Sequence, residues 1–353
     1  MTLQSFTSYR RRQFLQAGSL ALGASLVIDQ AKKSFASPTL LVQADPKKLV
    51  FGTNWLAQAE HGGFYQAVAK GFYSKKGLEV TIKMGGPQVN GTQLLVGGAI
   101  DFFMGSAADA IQAVQAGLPK ITVAAIFQKD PQVLMAHPNT GVKALEDLKG
   151  RPILISAGAQ TTFWPFLKAK YGFSDDQKRP YNFNMAAFLQ DKQSAQQGYL
   201  TSEPFAIEKE AKIKPVVLLL ADYGYEPYAT TIETKRDLVE KNSDLVQRFV
   251  DASIQGWYDY FLDPAPANAL IKKDNPEMTD DLLAYGLAKM QEYGIVISGD
   301  AESKGIGAMN DDRWQALFDS LVAAQSVKSD TDYKKAYTLQ FVNKGVDYYK
   351  QES

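Results

Sequence analysis

The segment Asn54–Val80, NWLAQAEHGGFYQAVAKGFYSKKGLEV, decides how the chain is read. It opens on an amide and an indole, Asn54 and Trp55, just past the strand-like run Lys48–Gly52 (KLVFG). A helix is expected from Gly63 to Lys76, because Phe64, Val68 and Phe72 recur every four residues on one face. Lys75 and Lys76 suit the negative end of that helix, and Gly77 the position just beyond it. Glu79–Lys83 then alternates apolar and polar side chains, as a half-buried strand does. Strand, helix and strand in so short a stretch form a βαβ unit, whose crossover is right-handed.

The alternation continues outward. Gly91–Gly98 reads as a helix, Ile100–Met104 as a strand, Ala107–Ala116 as a helix stopped by Gly117 and Pro119, and Ile121–Phe127 as a buried strand. This pattern predicts an α/β fold with helices on both faces of a mostly parallel sheet. An extended piece at Val133–Pro138 and the short capped helix of TGVKALEDLKG lead to a new strand, Ile153–Ser156. A second lobe is expected there, with a helix near Phe163–Lys170, a strand near Tyr181–Met185, a helix near Ala187–Gln197 and a strand at Val216–Leu220. Around Tyr225–Ile232 the chain is expected to recross. Helices are expected at Lys235–Leu262, Pro266–Asn275, Asp280–Tyr293 and Asn310–Val327, with a closing helix beyond Asp332. The expected division is residues 47–134 for lobe 1, 135–224 for lobe 2 and 225–353 for the return to lobe 1 and the C-terminal helices.

Residues 1–36 read as an export signal. Arg10-Arg11-Arg12 precede Phe14-Leu15, an apolar run spans Ala17–Ile28, and Ser34-Phe35-Ala36 offers a small-x-small cleavage site. Adjacent arginines before x-Phe-Leu look like a twin-arginine signal, although Arg10 stands where Ser or Thr is usual. The apolar run is too short to span a bilayer. The chain has no Cys, so packing rather than disulfides must hold an exported form, and no lipid can be attached through a cysteine. Lys+Arg and Asp+Glu are equal at 38 each, which argues against nucleic-acid or anionic-membrane partners.

Ligands of open α/β sheets sit beyond the carboxyl ends of strands, so the loops that follow strands supply the candidates. Asn54 can pair with a ring amide or amidine edge and Trp55 can stack; alternatively they are a turn residue and a core residue. His61 opens a helix and either faces a ligand or is structural. The other histidine, His137, is far away in sequence and reads as structural, so no metal site is expected. Ser106-Ala-Ala-Asp109 is a capping box whose free N–H groups could also hold a ligand oxygen. The run Ser156–Trp164, including Thr161, places small polar donors ahead of a helix, without the Lys-Ser/Thr ending of a phosphate loop. Glu203, before Pro204 at a strand end, is either a surface charge or the leading acidic candidate, a carboxylate placed to accept hydrogen bonds from a ligand. Tyr223 and Tyr225, with Tyr228 nearby, are candidates to clamp a ring.

The order of these features resembles the ABC-transporter substrate-binding proteins of the thiamine-pyrimidine precursor-binding and pyrimidine synthase superfamily. The resemblance covers nearly all of the chain beyond the signal. It is carried by Asn54-Trp55, the HGGFYQAVAKGFYSKKGLEV run, GVKALEDLKG and Ser202-Glu203-Pro204. It implies a two-lobed type II periplasmic binding protein fold and a monomer that binds a planar heterocycle without cofactor. It also implies delivery of that ligand to an ABC permease with its ATPase. Relatives implied as ligand guides bind formylaminopyrimidine, hydroxymethylpyrimidine or riboflavin, and more distant ones sulfonates or nitrate. Where family receptors carry Pro after Trp and one further residue, this chain has NWLAQ, without Pro. The synthase branch is the alternative. Its pyridoxal phosphate lysine, its histidine and its Cys-rich motif correspond here to Gly105, Asp109 and no cysteine at all. A sulfonate- or nitrate-type receptor and a sensory module are the further alternatives.

Overall fold

Gly62 and Gly63 let two helices touch almost backbone to backbone. A Cβ on Gly62 would lie 2.1 Å from the Tyr260 ring, one on Gly63 2.2 Å from the Trp257 indole, and one on Gly256 2.1 Å from the Gly63 carbonyl oxygen. The helix Gly62–Ala69 is therefore pressed against the long helix Ser243–Tyr260. These relations come from a computed structural model, which describes residues 46–351. The export signal expected over residues 1–36 lies outside the described residues.

The strands are β1 (Lys47–Gly52), β2 (Leu78–Lys83), β3 (Phe102–Gly105), β4 (Lys120–Phe127), β5 (Gln132–Ala136), β6 (Ile153–Ile155), β7 (Lys178–Pro180), β8 (Ala195–Tyr199), β9 (Val216–Leu219) and β10 (Ala229–Lys235). They form two five-stranded sheets, ordered β2-β1-β3-β10-β4 and β7-β6-β8-β5-β9. In the first, β1 runs parallel to β2 and β3, while β10 is antiparallel to β3 and β4. In the second, β6 is parallel to β7 and β8, while β5 is antiparallel to β8 and β9. Four strands of each sheet thus share a direction. The reversed one is the strand that has just arrived from the other sheet. Counted from β6, the second sheet repeats the order of the first. This is the expected α/β, two-lobed fold, with mixed rather than uniformly parallel ladders.

Arg313 ties the two crossovers together. Its side chain donates to the carbonyl of Gln128, just after β4, and to that of Glu226, just before β10, at 3.0 Å. Its guanidinium also lies 4.1 Å from the Tyr228 ring centre.

Local differences from the sequence reading have plain causes. The strand expected at Tyr181–Met185 is a loop: β7 ends at Pro180, and Phe183 has φ +64°, which no strand accommodates. The helix expected at Ala187–Gln197 stops at Gln190, and Ala195–Tyr199 is a strand whose glutamines are buried. Burial of a polar sequence is what hid it. Val133–Ala136 is not merely extended but wholly buried in the second sheet. The helix expected from Gly63 to Lys76 breaks at Gly71 (φ +70°) into Gly62–Ala69 and Phe72–Lys75. Lys235–Leu262 is two helices, Arg236–Lys241 and Ser243–Tyr260. Beyond Asp332 there is a 3₁₀ turn, Tyr333–Ala336, before a final helix, Val346–Gln351.

Gly256→Ala should destabilise the protein by about 1–3 kcal/mol, because a methyl group there meets backbone that cannot rotate away. A urea titration monitored by Trp fluorescence checks this.

Candidate functional site

Between the two sheets lies a cavity of about 410 Å³, lined from both sides. Its first wall is the loop after β1. Thr53 Oγ1 donates to the Trp55 carbonyl at 2.9 Å, and the Gly85 N–H, arriving from the end of β2, donates to the same carbonyl at 3.1 Å. A Cβ on Gly85 would lie 2.3 Å from the Thr53 carbonyl oxygen, so only glycine lets these two loops back one another. The result is a braced platform for Trp55.

His61 is part of that brace. Its Nδ1 accepts from the Gln58 N–H at 3.3 Å, which leaves the proton on Nε2, 3.4 Å from Asn54 Oδ1. Burial pulls the imidazole down to about 3, so the ring is neutral at any ordinary pH. Asn54 is thereby held by its oxygen, and its amide NH₂ is left to pair elsewhere. Beyond β3, Ser106 caps the helix Ala107–Gln115: its Oγ accepts from the Asp109 N–H at 3.3 Å and donates to Asp109 Oδ2 at 2.9 Å.

The second wall follows β6 and β8. Ser156 donates its N–H to Gln197 Oε1 at 2.8 Å, and its Oγ accepts from the Ala159 N–H at 3.3 Å. Glu203 begins the helix Glu203–Ala211, where its Oε2 accepts from the Tyr199 N–H at 2.8 Å and the Ser202 hydroxyl at 2.6 Å. Burial raises its pKa despite those two bonds. Tyr199 and Tyr225 are pushed well above the ordinary phenol range, by burial first and by the Asp130 charge next.

Three contacts bridge the walls. Thr201 donates its hydroxyl to Glu60 Oε1. Gln112 Nε2 donates to the Thr161 carbonyl at 2.8 Å. At the rim, the Trp55 and Phe183 rings meet with centres 4.4 Å apart and planes tilted by 51°, and Tyr181 backs Phe183 at 5.2 Å.

Of the residues singled out from sequence, Asn54, Trp55, His61, Ser106, Asp109, Thr161, Glu203 and Tyr225 all border this cavity. Tyr223 does not. Gly224 (φ +92°) turns the chain between the two tyrosines, so they do not share a face. The Tyr223 carbonyl instead accepts from Lys170 Nζ and the Tyr171 hydroxyl, each at 2.8 Å. His137 is structural: its Nε2 donates to the Phe188 carbonyl at 2.7 Å and its ring stacks on Phe188. Tyr228 lies under Arg313.

The sequence reading passed over Glu60, Asp130, Phe183 and Thr230, which also border the cavity. Asp130 follows the carboxyl end of β4 and was open to the same strand-end rule that found Glu203. Glu60 stood inside the opening segment, unremarked beside His61. Phe183 carried no signal, because its loop read as a strand. Among the described residues no Lys or Arg borders the cavity.

Glu60 and Asp130 are each pushed up to about 7, chiefly by burial, with Glu203 and Asp109 as the respective like charges. For Glu60 the folded value exceeds the ordinary 4.5, so its contribution to stability is fully present below 4.5 and is lost as pH rises through 7. His61 has the opposite sign: its contribution is present above 6.5 and lost as pH falls toward 3. Glu60→Gln should therefore stabilise the unliganded protein by roughly 2 kcal/mol at pH 8 and by little at pH 5. Urea unfolding of both proteins at the two pH values measures the difference.

The model of the NMT1/THI5-like family matches residues 58–267. The riboflavin-binding protein RibY of Chloroflexus aurantiacus is 26% identical over 318 residues, covering 88% of this chain and 90% of RibY. Among solved structures, the periplasmic aliphatic sulphonate binding protein SsuA of Escherichia coli superposes with a TM-score of 0.63 at 18% identity, covering 82% of this chain and 92% of its own. The desulfurization enzyme DSZB superposes at 0.55 and 14% identity, covering 84% and 97%. Two such sheets in this order around one cleft are the periplasmic binding protein fold, and the chain belongs to the NMT1/THI5-like family.

Proposed function

We propose that this protein is the periplasmic solute-binding component of an ABC importer, carrying a planar nitrogen heterocycle such as a thiamine-pyrimidine precursor to its permease. The observation that carries this reading is the pairing of an aromatic rim with hydrogen-bonding groups in one cavity between lobes. Trp55, Phe183, Tyr181 and Tyr225 supply flat faces, and Asn54 and Glu203 supply an amide and a carboxyl at the strand ends. Formylaminopyrimidine and hydroxymethylpyrimidine fit that description. Riboflavin is the second reading, favoured by the likeness to RibY along most of the chain. A sulfonate or nitrate is disfavoured, since among the described residues four carboxyls and no Lys or Arg border the cavity.

The role is binding rather than turnover. Gly105 stands near where the synthase carries its lysine, and a Cβ there would lie 2.3 Å from the Glu233 carboxylate. With glycine there the position offers no amine, and without an amine no Schiff base to pyridoxal phosphate can form. The chain has no Cys. Export by a twin-arginine signal over residues 1–36 would deliver the folded protein to the periplasm, where it acts as a monomer without cofactor or nucleic acid. Among the described residues no helix is long and apolar enough to cross a membrane. Ligand capture closes the lobes about the two crossovers, and the Arg313 clasp makes those crossovers move together.

Isothermal titration with hydroxymethylpyrimidine, formylaminopyrimidine, riboflavin and ethanesulfonate tests the reading. At least one heterocycle should bind at micromolar Kd or tighter. Trp55→Ala and Glu203→Gln should each weaken that binding at least tenfold, about 1.4 kcal/mol. Binding of ethanesulfonate alone would refute it.

A further inference from the structure

We propose that the cargo of this cleft is an organic cation, a flat ring system bearing N–H donors and a positive charge, seated between Glu60 and Asp130 with the Thr230 hydroxyl as a third acceptor. This rests on the receptor reading above and narrows its ligand class.

Four carboxyls border the cavity: Glu60, Asp109, Asp130 and Glu203. Glu60 and Asp130 are buried, at 1% and 7% exposure. Burying a carboxylate is costly unless an opposite charge accompanies it. Elsewhere the chain provides that charge. Buried Glu233 has Lys120 at 2.7 Å, and buried Asp251 has Lys344 at 3.5 Å. In the cleft it does not. The groups facing Glu60 are the Thr201, Tyr199 and Tyr260 hydroxyls and the Glu203 carboxyl; those facing Asp130 are the Gln132 N–H, Asp109, Tyr199 and Tyr225. None is a cation. His61, the one basic group on the wall among the described residues, is kept neutral by burial. The raised pKa values of Glu60 and Asp130 are what such a site produces without a counter-charge, and a bound cation would lower both.

Thr230 is an independent sign of a ligand. It is 2% exposed and borders the cavity, and its Oγ1 makes no hydrogen bond with the protein. Its φ is +46°, a costly conformation for a β-branched residue. The β10–β4 ladder pairs Ala229 with Phe127 and Thr231 with Ala125, with no bridge at Thr230 between them. Strain of this kind persists where the surroundings fix it, commonly at ligand clamps. A threonine oxygen and two carboxyls accept from a cationic N–H edge. The Trp55 and Phe183 faces add cation–π attraction.

The test uses a flat, isosteric charge series at one pH: benzamidinium, benzamide and benzoate, titrated calorimetrically into the signal-free protein at pH 7.5. Benzamidinium should bind at least tenfold tighter than benzamide, and benzoate should not bind. In the Glu60→Gln, Asp130→Asn variant, with its fold checked by circular dichroism, the preference should fall below about twofold. Equal binding of the three probes, a preference for benzamide or benzoate, or no binding of benzamidinium by the unmutated protein overturns the proposal, whether or not the variant folds. The two readings fail separately. If hydroxymethylpyrimidine or riboflavin binds without a preference for benzamidinium, the receptor stands and the charge assignment falls. If benzamidinium is preferred while no heterocycle binds, the charge stands and the heterocycle identity falls.

Discussion

The wall of the cleft that carries Asn54, Trp55 and His61 depends on one close helix contact. Gly62 and Gly63 lie against Tyr260 and Trp257, and Gly256 lies against the Gly63 carbonyl. Any side chain at these points would push the helix Gly62–Ala69 away from Ser243–Tyr260. The N-terminus of that first helix carries His61, and His61 holds Asn54. The Thr53–Gly85 loop pair then sets Trp55 beside it. The double glycine therefore reads as a packing device whose effect is felt at the binding wall. It is not itself a site.

The second constraint is topological. Each sheet contains one strand running against the others, and each of these strands is a crossover product. With two connections between lobes, rotation about them is the soft motion available. Arg313 touches the chain beside both connections, so neither can shift without disturbing the other. A guanidinium suits this role, because its fixed fork of donors can reach two carbonyls at once while its face stacks on Tyr228. The bonds between walls, Thr201 to Glu60 and Gln112 to Thr161, belong to the same arrangement of the lobes.

The electrostatic character of the cleft follows from burial rather than from net charge. The chain as a whole is neutral, yet the cavity is bordered by carboxyls and a neutral imidazole. Ion pairs elsewhere are mostly surface contacts of small energetic weight. The carboxylate of the buried Lys120–Glu233 pair lies beside Gly105.

Much was legible in the sequence by itself. Periodicity of four in Phe64, Val68 and Phe72, alternation in Glu79–Lys83 and the glycine stops determined the βαβ start, because local side-chain spacing dictates which face can be buried. The strand-end rule brought Asn54, Trp55, Ser106, Asp109 and Glu203 to one cavity, since carboxyl ends of parallel strands converge there. What only the tertiary structure decided is long-range. Val133–Ala136 became a central reversed strand because its partners lie tens of residues away in sequence. The polar run Ala195–Tyr199 became buried strand for the same reason. Tyr223 and Tyr225 were separated by a single glycine turn, and Phe183 met Trp55 only across the cleft. Glu60 and Asp130, passed over in the sequence reading, acquired their character from burial on opposite sides of that space, and desolvation is a property of the folded surroundings that the local sequence does not encode.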